Sequence, residues 1–269
     1  IDWTLDLSRD FYEKELPAMF MAAEDVPAYD LVIIDEGQDL LTNTYLECID
    51  RIVQDGLGDG TWAIYYDPNQ NIFNSYAELD AMIEKLRKEA YAMSWKLHAN
   101  CRNTKQIATG NWYATNIKQA SIMKADGEVV GYHKYDSKTA EKTDVLKLIR
   151  RLLSEGISRN DIVILSPYRM DNANSCLYNA SIPSDIGEIR LNEFNKLDSD
   201  DFIRFYTVKA FKGLEARVIL YIDIDGFEDN DERLLNYVAM SRARTLLEVF
   251  YRADLEEERQ KMMLNSYNL

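Results

Sequence analysis

The sequence predicts an α/β fold built on parallel strands, and two features carry that expectation. Short runs rich in β-branched and aromatic residues alternate along the chain with longer segments of helical periodicity. Several of these runs are apolar at consecutive positions, the pattern of a strand covered on both faces. In such sheets the crossovers are right-handed and ligands sit beyond the carboxyl ends of the strands. Chemistry is therefore expected in the residues immediately after each apolar run.

In chain order, the spacing predicts a helix over Phe11–Ala23, a strand over Leu31–Asp35 and a helix over Thr44–Asp55. A strand over Thr61–Tyr66 comes next, then helices over Ser75–Glu89 and Thr104–Ile117 and a strand over Val129–Tyr135. The segment Ala140–Ser154 reads as a helix through the stripe Leu146, Ile149, Leu152 and Leu153. Strands are expected over Asp161–Leu165, Ile203–Thr207, Arg217–Ile222 and Leu246–Tyr251, with a helix over Glu232–Arg244 before the last.

Composition bounds the function classes. Of 269 residues, 46% are hydrophobic and 29% charged, enough to bury an ordinary core. No apolar run approaches the roughly 18–20 residues of a membrane span. The net charge of −15 argues against a broad phosphate-neutralising surface but leaves room for a narrow basic groove along one strand. Cys48, Cys101 and Cys176 lie far apart, no CxxC occurs, and His98 and His133 are the two histidines. That pattern predicts no zinc site, and it fits a reducing, cytoplasmic setting. The chain opens on Ile1, with no leader pattern ahead of the fold, and is expected to be an excised part of a longer protein.

Five segments carry candidate chemistry. Leu31-Val-Ile-Ile-Asp-Glu-Gly-Gln-Asp39 places adjacent carboxylates at the end of an apolar strand. Such a pair suits phosphoryl transfer: Asp35 can hold Mg²⁺ while Glu36 orients and deprotonates an attacking water. Tyr66-Asp-Pro-Asn-Gln-Asn-Ile-Phe73 comes after the next strand, and Leu97-His-Ala-Asn-Cys-Arg-Asn-Thr104 contains a guanidinium, Arg102, of the kind that contacts two phosphate oxygens at once. In Thr207-Val-Lys-Ala-Phe-Lys-Gly-Leu-Glu215, Lys-Gly is a turn before a new strand. Leu235-Asn-Tyr-Val-Ala-Met-Ser-Arg-Ala-Arg244 puts arginines near a helix C-terminus.

In this order the five segments resemble motifs II to VI of superfamily 1 helicases of the UvrD/Rep group. The resemblance implies two RecA-like parallel-sheet lobes of the P-loop NTPase fold, the first truncated (1–94) and the second complete (95–269), with ATP between them. It implies that Asp35, Glu36, Gln70, Arg102 and Arg242 serve hydrolysis, with Asp35 as the Mg²⁺ ligand. Gln38, Gly213, Glu215 and Tyr237 would contact nucleotide. Phe73, Thr207 and Lys209 would contact single-stranded DNA, RNA not being excluded. The implied activity is ATP-driven movement on that strand, 3′ to 5′. A helicase-like scaffold or nuclease-complex subunit that has lost its motor function is the alternative.

The departures from the family are specific. Tyr66 and Lys209 stand where the family usually has Gly and His, and the Trp-Arg-Gly-Ala continuation after motif III is missing. The phosphate loop G-x-x-x-x-G-K-[ST] is absent, the nearest pair being Lys212-Gly213 in reverse order. That loop is expected upstream of Ile1, and without its amides and lysine the chain alone is expected not to hydrolyse ATP.

Overall fold

A computed structural model describes residues 8, 10–72, 76–118, 121–122, 126–191 and 201–267. Phe73 lies outside them. The chain divides into two compact units, Ile1–Lys96 and Leu97–Leu269.

In the first unit, a π-helical turn at Phe11–Glu15 runs into α1 (Leu16–Ala22). Next come β1 (Val32–Ile34), α2 (Asn43–Ile52), the single turn α3 (Gly56–Asp59), β2 (Trp62–Ile64) and α4 (Tyr76–Glu89). Strands β1 and β2 pair in parallel, Ile33 opposite Ala63. Thr42 caps α2, and Leu46 and Ile49 on that helix pack with Val32, Val53, Leu79 and Leu86. The guanidinium of Arg51 closes the end of α1, donating to the carbonyls of Met21 at 2.7 Å and Phe20 at 3.2 Å. The continuous apolar run at Leu31–Ile34 suggests burial on both faces. The structure covers one: Val32 is buried while Ile33 is 62% exposed.

The second unit contains β3 (Ala99–Asn100), α5 (Lys105–Thr115), β4 (Ser121–Ile122), β5 (Gly131–Tyr135) and α6 (Lys138–Ser154). Then come β6 (Ile162–Ser166), β7 (Ile189–Leu191), β8 (Ile203–Thr207), β9 (Ala216–Ile224), α7 (Asn230–Ser241), β10 (Ala243–Arg252) and α8 (Glu256–Ser266). Six strands form one all-parallel sheet in the order β5-β10-β9-β6-β8-β7, beside a short parallel β3-β4 pair. The α/β class with parallel strands is thus what the sequence predicts.

One face of this sheet belongs to α6. Val145, Leu148, Ile149 and Leu152 pack on Ile164, Phe205, Val218, Leu220 and Phe250. Residues of β9 that alternate with these point the other way, where Tyr221 donates to Asn236 of α7 at 2.7 Å. On that side α5 packs against α7 and α8. Each fully buried Leu, Ile or Phe in these layers contributes about 1.5–3 kcal/mol through removal from water.

Three boundaries shift from expectation for local reasons. Helix α6 starts two residues before Ala140, because Ser137 rather than Thr139 caps it, accepting from Ala140 N at 3.2 Å. Helix α7 ends at Ser241, not Arg244. Arg242 is its C-cap, and Ala243 already pairs with Ala216 in the sheet. Strand β10 therefore begins three residues before the apolar run that signals it.

Candidate functional site

In the first unit, motifs II and III form one hydrogen-bonded arrangement beyond the carboxyl ends of β1 and β2. Asp35 leaves β1 exposed, its Oδ1 accepting from Glu36 N at 2.9 Å. Glu36 adopts φ +52°, a left-handed conformation that costs a non-glycine residue about 1–3 kcal/mol and collects at functional sites. Gly37 then tucks under β2, its N–H donating to Tyr65 O at 2.7 Å. A Cβ there would run into Ile64 Cγ2 and come within 3.2 Å of Tyr65 O, so glycine is required by space.

Gln38 is fully buried and joins the two motifs. Its Nε2 donates to Glu36 Oε2 at 2.5 Å, and its Oε1 accepts from Asp67 N at 3.0 Å. Gln70, also buried, donates to Asp67 Oδ2 at 2.8 Å, while Asp67 Oδ1 caps the adjoining turn through Asn69 N. Glu36, Gln38 and Gln70 are thus connected through Asp67, a residue to which the motif pattern assigns no role. The Asp-Pro-Asn turn is the sequence signal that marks it. Asp35 suits a hard cation in the Mg²⁺ manner: no described residue donates to its Oδ2, and Mg²⁺ takes one or two carboxylates plus water and substrate phosphate.

In the second unit, motifs IV, V and VI converge at the amino ends of β9 and β10. This differs from the carboxyl-end rule, because the motif V turn carries the chain back across the sheet before Glu215. Gly213 takes φ +80° in that turn, and Leu214 N closes it on Phe211 O. Glu215 sits between two guanidinium groups: Arg102 Nε lies 3.1 Å from Oε2 and Arg244 Nε 3.3 Å from Oε1. Glu215, expected from the resemblance to contact nucleotide, accepts these two ion pairs here.

Arg242 is wholly buried. It donates from Nε to Val238 O at 3.1 Å and from Nη1 to Leu214 O at 3.3 Å, with Ser241 Oγ at 3.0 Å from Nη2. It thereby ties the last turn of α7 to motif V. Asn103 makes the matching tie from motif IV, its Nδ2 donating to Ser241 O at 3.0 Å and Ala243 O at 2.7 Å. Asn100 Oδ1 in turn accepts from the amides of Arg102 and Asn103, fixing the turn that presents Arg102. Sequence reasoning misses Asn103 and Arg244, though both flank arginines that it singles out.

The remaining residues are spread around this centre. Tyr237 is buried in α7, its carbonyl accepting from Asn111 Nδ2 at 3.1 Å. Thr207 ends β8 and caps the next turn through Ala210 N at 3.2 Å, leaving Lys209 exposed two residues on.

No family model matches the chain. It is 29% identical over 195 residues to a "Probable DNA helicase II homolog" of Mycoplasma capricolum subsp. capricolum. The match takes in 68% of this chain and 26% of that protein, so the chain spans about a quarter of the relative's length. Among solved structures, the C-terminal domain of a possible DNA helicase from Lactobacillus plantarum WCFS1 overlaps 61% of this chain and 96% of its own, at 18% identity and a TM-score of 0.45. Over those 195 residues the chain is thus similar in sequence to that protein.

Proposed function

We propose that this chain is the part of an ATP-dependent superfamily 1 helicase or translocase, of the UvrD-like kind, that holds the hydrolysing carboxylates and the phosphate-sensing arginines. The observation that carries the reading is the Glu36–Gln38–Asp67–Gln70 arrangement. The Gln38–Glu36 bond satisfies the buried amide of Gln38 and at the same time fixes the carboxylate of Glu36, which sits on a left-handed backbone. A general base does need fixed geometry, and Gln38 supplies it. Gln70, locked to the same Asp67, would report the γ-phosphate state to that base. Mg²⁺ bound at Asp35 would supply charge neutralisation for the transferred phosphoryl group.

In the second unit Arg102 and Arg244 stand ready to leave Glu215 for a phosphate, with Arg242 bracing motifs V and VI behind them. Single-stranded DNA is the proposed track. Lys209 and Thr207 would meet its backbone and Phe73 its bases, a combination that tolerates sequence. The phosphate loop is missing from these 269 residues, so in this reading the chain alone turns over no ATP. The scaffold reading draws support from the burial of Arg242, which is not exposed to a phosphate as it stands.

The test is strand-stimulated ATPase of a protein that carries this chain together with a phosphate loop. Glu36→Gln is expected to cost about 10²–10⁴-fold in turnover, the span of general-base catalysis. Wild-type protein with no strand-stimulated turnover supports the scaffold instead.

A further inference from the structure

Doubly wound sheets place ligands beyond the carboxyl ends of their strands, and in the second unit that edge is opposite the amino-end meeting of Arg102, Glu215 and Arg244. There, Glu141 in the first turn of α6, Cys176 in the turn after β6, and Asp223 near the end of β9 come together. One ligand atom from each lies within 4.8 Å of the other two, and all three residues are buried.

The chemistry of this cluster is unbalanced as it stands. Glu141 Oε1 accepts from Asp223 N at 2.7 Å, but Oε2, fully buried, has no hydrogen-bond partner among the described residues. Asp223 accepts from Ser166 Oγ and Cys176 N, each at 2.7 Å. Those donors are neutral, so two buried carboxylates face each other with no cationic side chain among the described residues bonded to either. Burial pushes the Glu141 carboxyl up to about 8 and raises that of Asp223, and it raises the Cys176 thiol as well.

The backbone is deformed to make this meeting. Between the pairs Tyr221–Val249 and Ile224–Tyr251, strand β9 sets two residues against one of β10, and Asp223 sits in that bulge at φ +59°. The extra residue turns Asp223 toward α6. Asp223 also lines a cavity of about 300 Å³, whose rim includes Asp136 and Asp225. The two basic side chains of that rim are engaged elsewhere: Lys138 donates to Ala173 O and Arg252 to Asp254.

We infer that Glu141, Cys176 and Asp223 form a site for one borderline-soft divalent cation of the zinc class, reached through this cavity. A sulfur with two carboxylates suits that class better than Mg²⁺ or Ca²⁺, which take oxygen alone. In a tetrahedral zinc site ligand atoms stand about 3.5 Å apart, so the three need close by about 1 Å, leaving the fourth position for water from the cavity. Cysteine and histidine spacing could not reveal this site, because two of its ligands are carboxylates supplied by separate elements.

The test uses the 269-residue chain, stripped with chelator, titrated with Zn²⁺ against a chromophoric competitor and with Co²⁺ followed by absorption. One equivalent of Zn²⁺ should bind and raise the thermal midpoint, and Co²⁺ should give a thiolate-to-metal charge-transfer band. Glu141→Gln and Cys176→Ser should each weaken binding at least ten-fold, and Cys101→Ser, at an exposed thiol, should leave it unchanged. Wild-type affinity in both site variants overturns the inference, as does the lack of a cobalt–thiolate band in wild type. The latter would mean the carboxylates share a proton instead. Should the site variants fail to fold, the cobalt spectrum of the Cys101→Ser chain decides alone.

Discussion

Replacing Asn103 by alanine tests how the second unit holds its arginines. A helix leaves its last carbonyls without internal partners, and Ser241 is the last residue of α7. Asn103 Nδ2 satisfies that carbonyl and the Ala243 carbonyl at the start of β10, both in buried surroundings. Asn103→Ala removes these two hydrogen bonds and a third, which Asn103 Oδ1 accepts from Asn100 Nδ2 at 3.0 Å, each worth about 0.5–1.5 kcal/mol, and leaves two acceptors short of donors, at about 1–3 kcal/mol each if no water enters. Partial hydration of the vacated space brings the expected loss to about 2–4 kcal/mol, or about 5–15 °C in the transition of this unit. Urea unfolding followed by far-ultraviolet circular dichroism measures it. Asn103→Asp keeps the shape but loses both donors and adds a charge facing carbonyls, so it should cost at least as much as alanine. An aspartate variant as stable as wild type, or an alanine variant within about 0.5 kcal/mol of it, would refute the capping argument.

The same geometry sets three other outcomes. Gly37→Ala should destabilise the first unit by about 1–3 kcal/mol in urea unfolding, since the new methyl meets the branched Ile64 side chain and the Tyr65 carbonyl. Glu256 is held down to about 2, chiefly by the hydrogen bond from Arg259. Its folded value lies below its unfolded one, so its contribution is complete above the unfolded value near 4.5 and disappears as pH falls toward 2. Glu256→Gln should therefore be less stable than wild type at neutral pH and show a flatter thermal midpoint across that acid window. Glu215→Gln should change stability by less than about 1 kcal/mol, because the three side chains are 38–55% exposed, yet tighten tripolyphosphate binding in low-salt calorimetry by uncovering Arg102 and Arg244.

Periodicity is a good guide wherever a segment is buried by long-range packing on regular faces. Strand β8 falls on its expected residues, and α4 and α5 lie within two of theirs. Short or polar elements escape it: β7 has three residues, and α8 opens on three glutamates with no clean apolar stripe. At the site, residue types are legible because carboxylates, amides and guanidiniums recur just after or before apolar strands, whereas connections are not. Nothing in the run Asp-Glu-Gly-Gln-Asp says that Gln38 turns inward to reach Asp67, 29 residues away. Nor does Ser-Arg-Ala-Arg say which arginine is buried. That depends on α7 stopping at Ser241, which in turn depends on Asn103 from the far side of the unit.

The burial of Arg242 bears on how a strongly acidic chain can present positive charge at all. A guanidinium withdrawn from water is tolerated only when its donors are taken up, and here backbone carbonyls and the Ser241 hydroxyl take them. Those partners carry no formal charge, and they hold Arg242 close to where Arg102, Glu215 and Arg244 meet. Three guanidinium groups and the Glu215 carboxylate are thus gathered in one place within a chain of net charge −15. In the proposed motor, guanidiniums grouped in this way would favour a compact polyanion such as a triphosphate. The same side chain bonds motif V to the end of α7, so a displacement of Arg102 or Arg244 onto a phosphate would be felt at the turn leading back to Thr207 and Lys209. In the proposed motor, that shared brace would let a change at the nucleotide alter the grip on a strand.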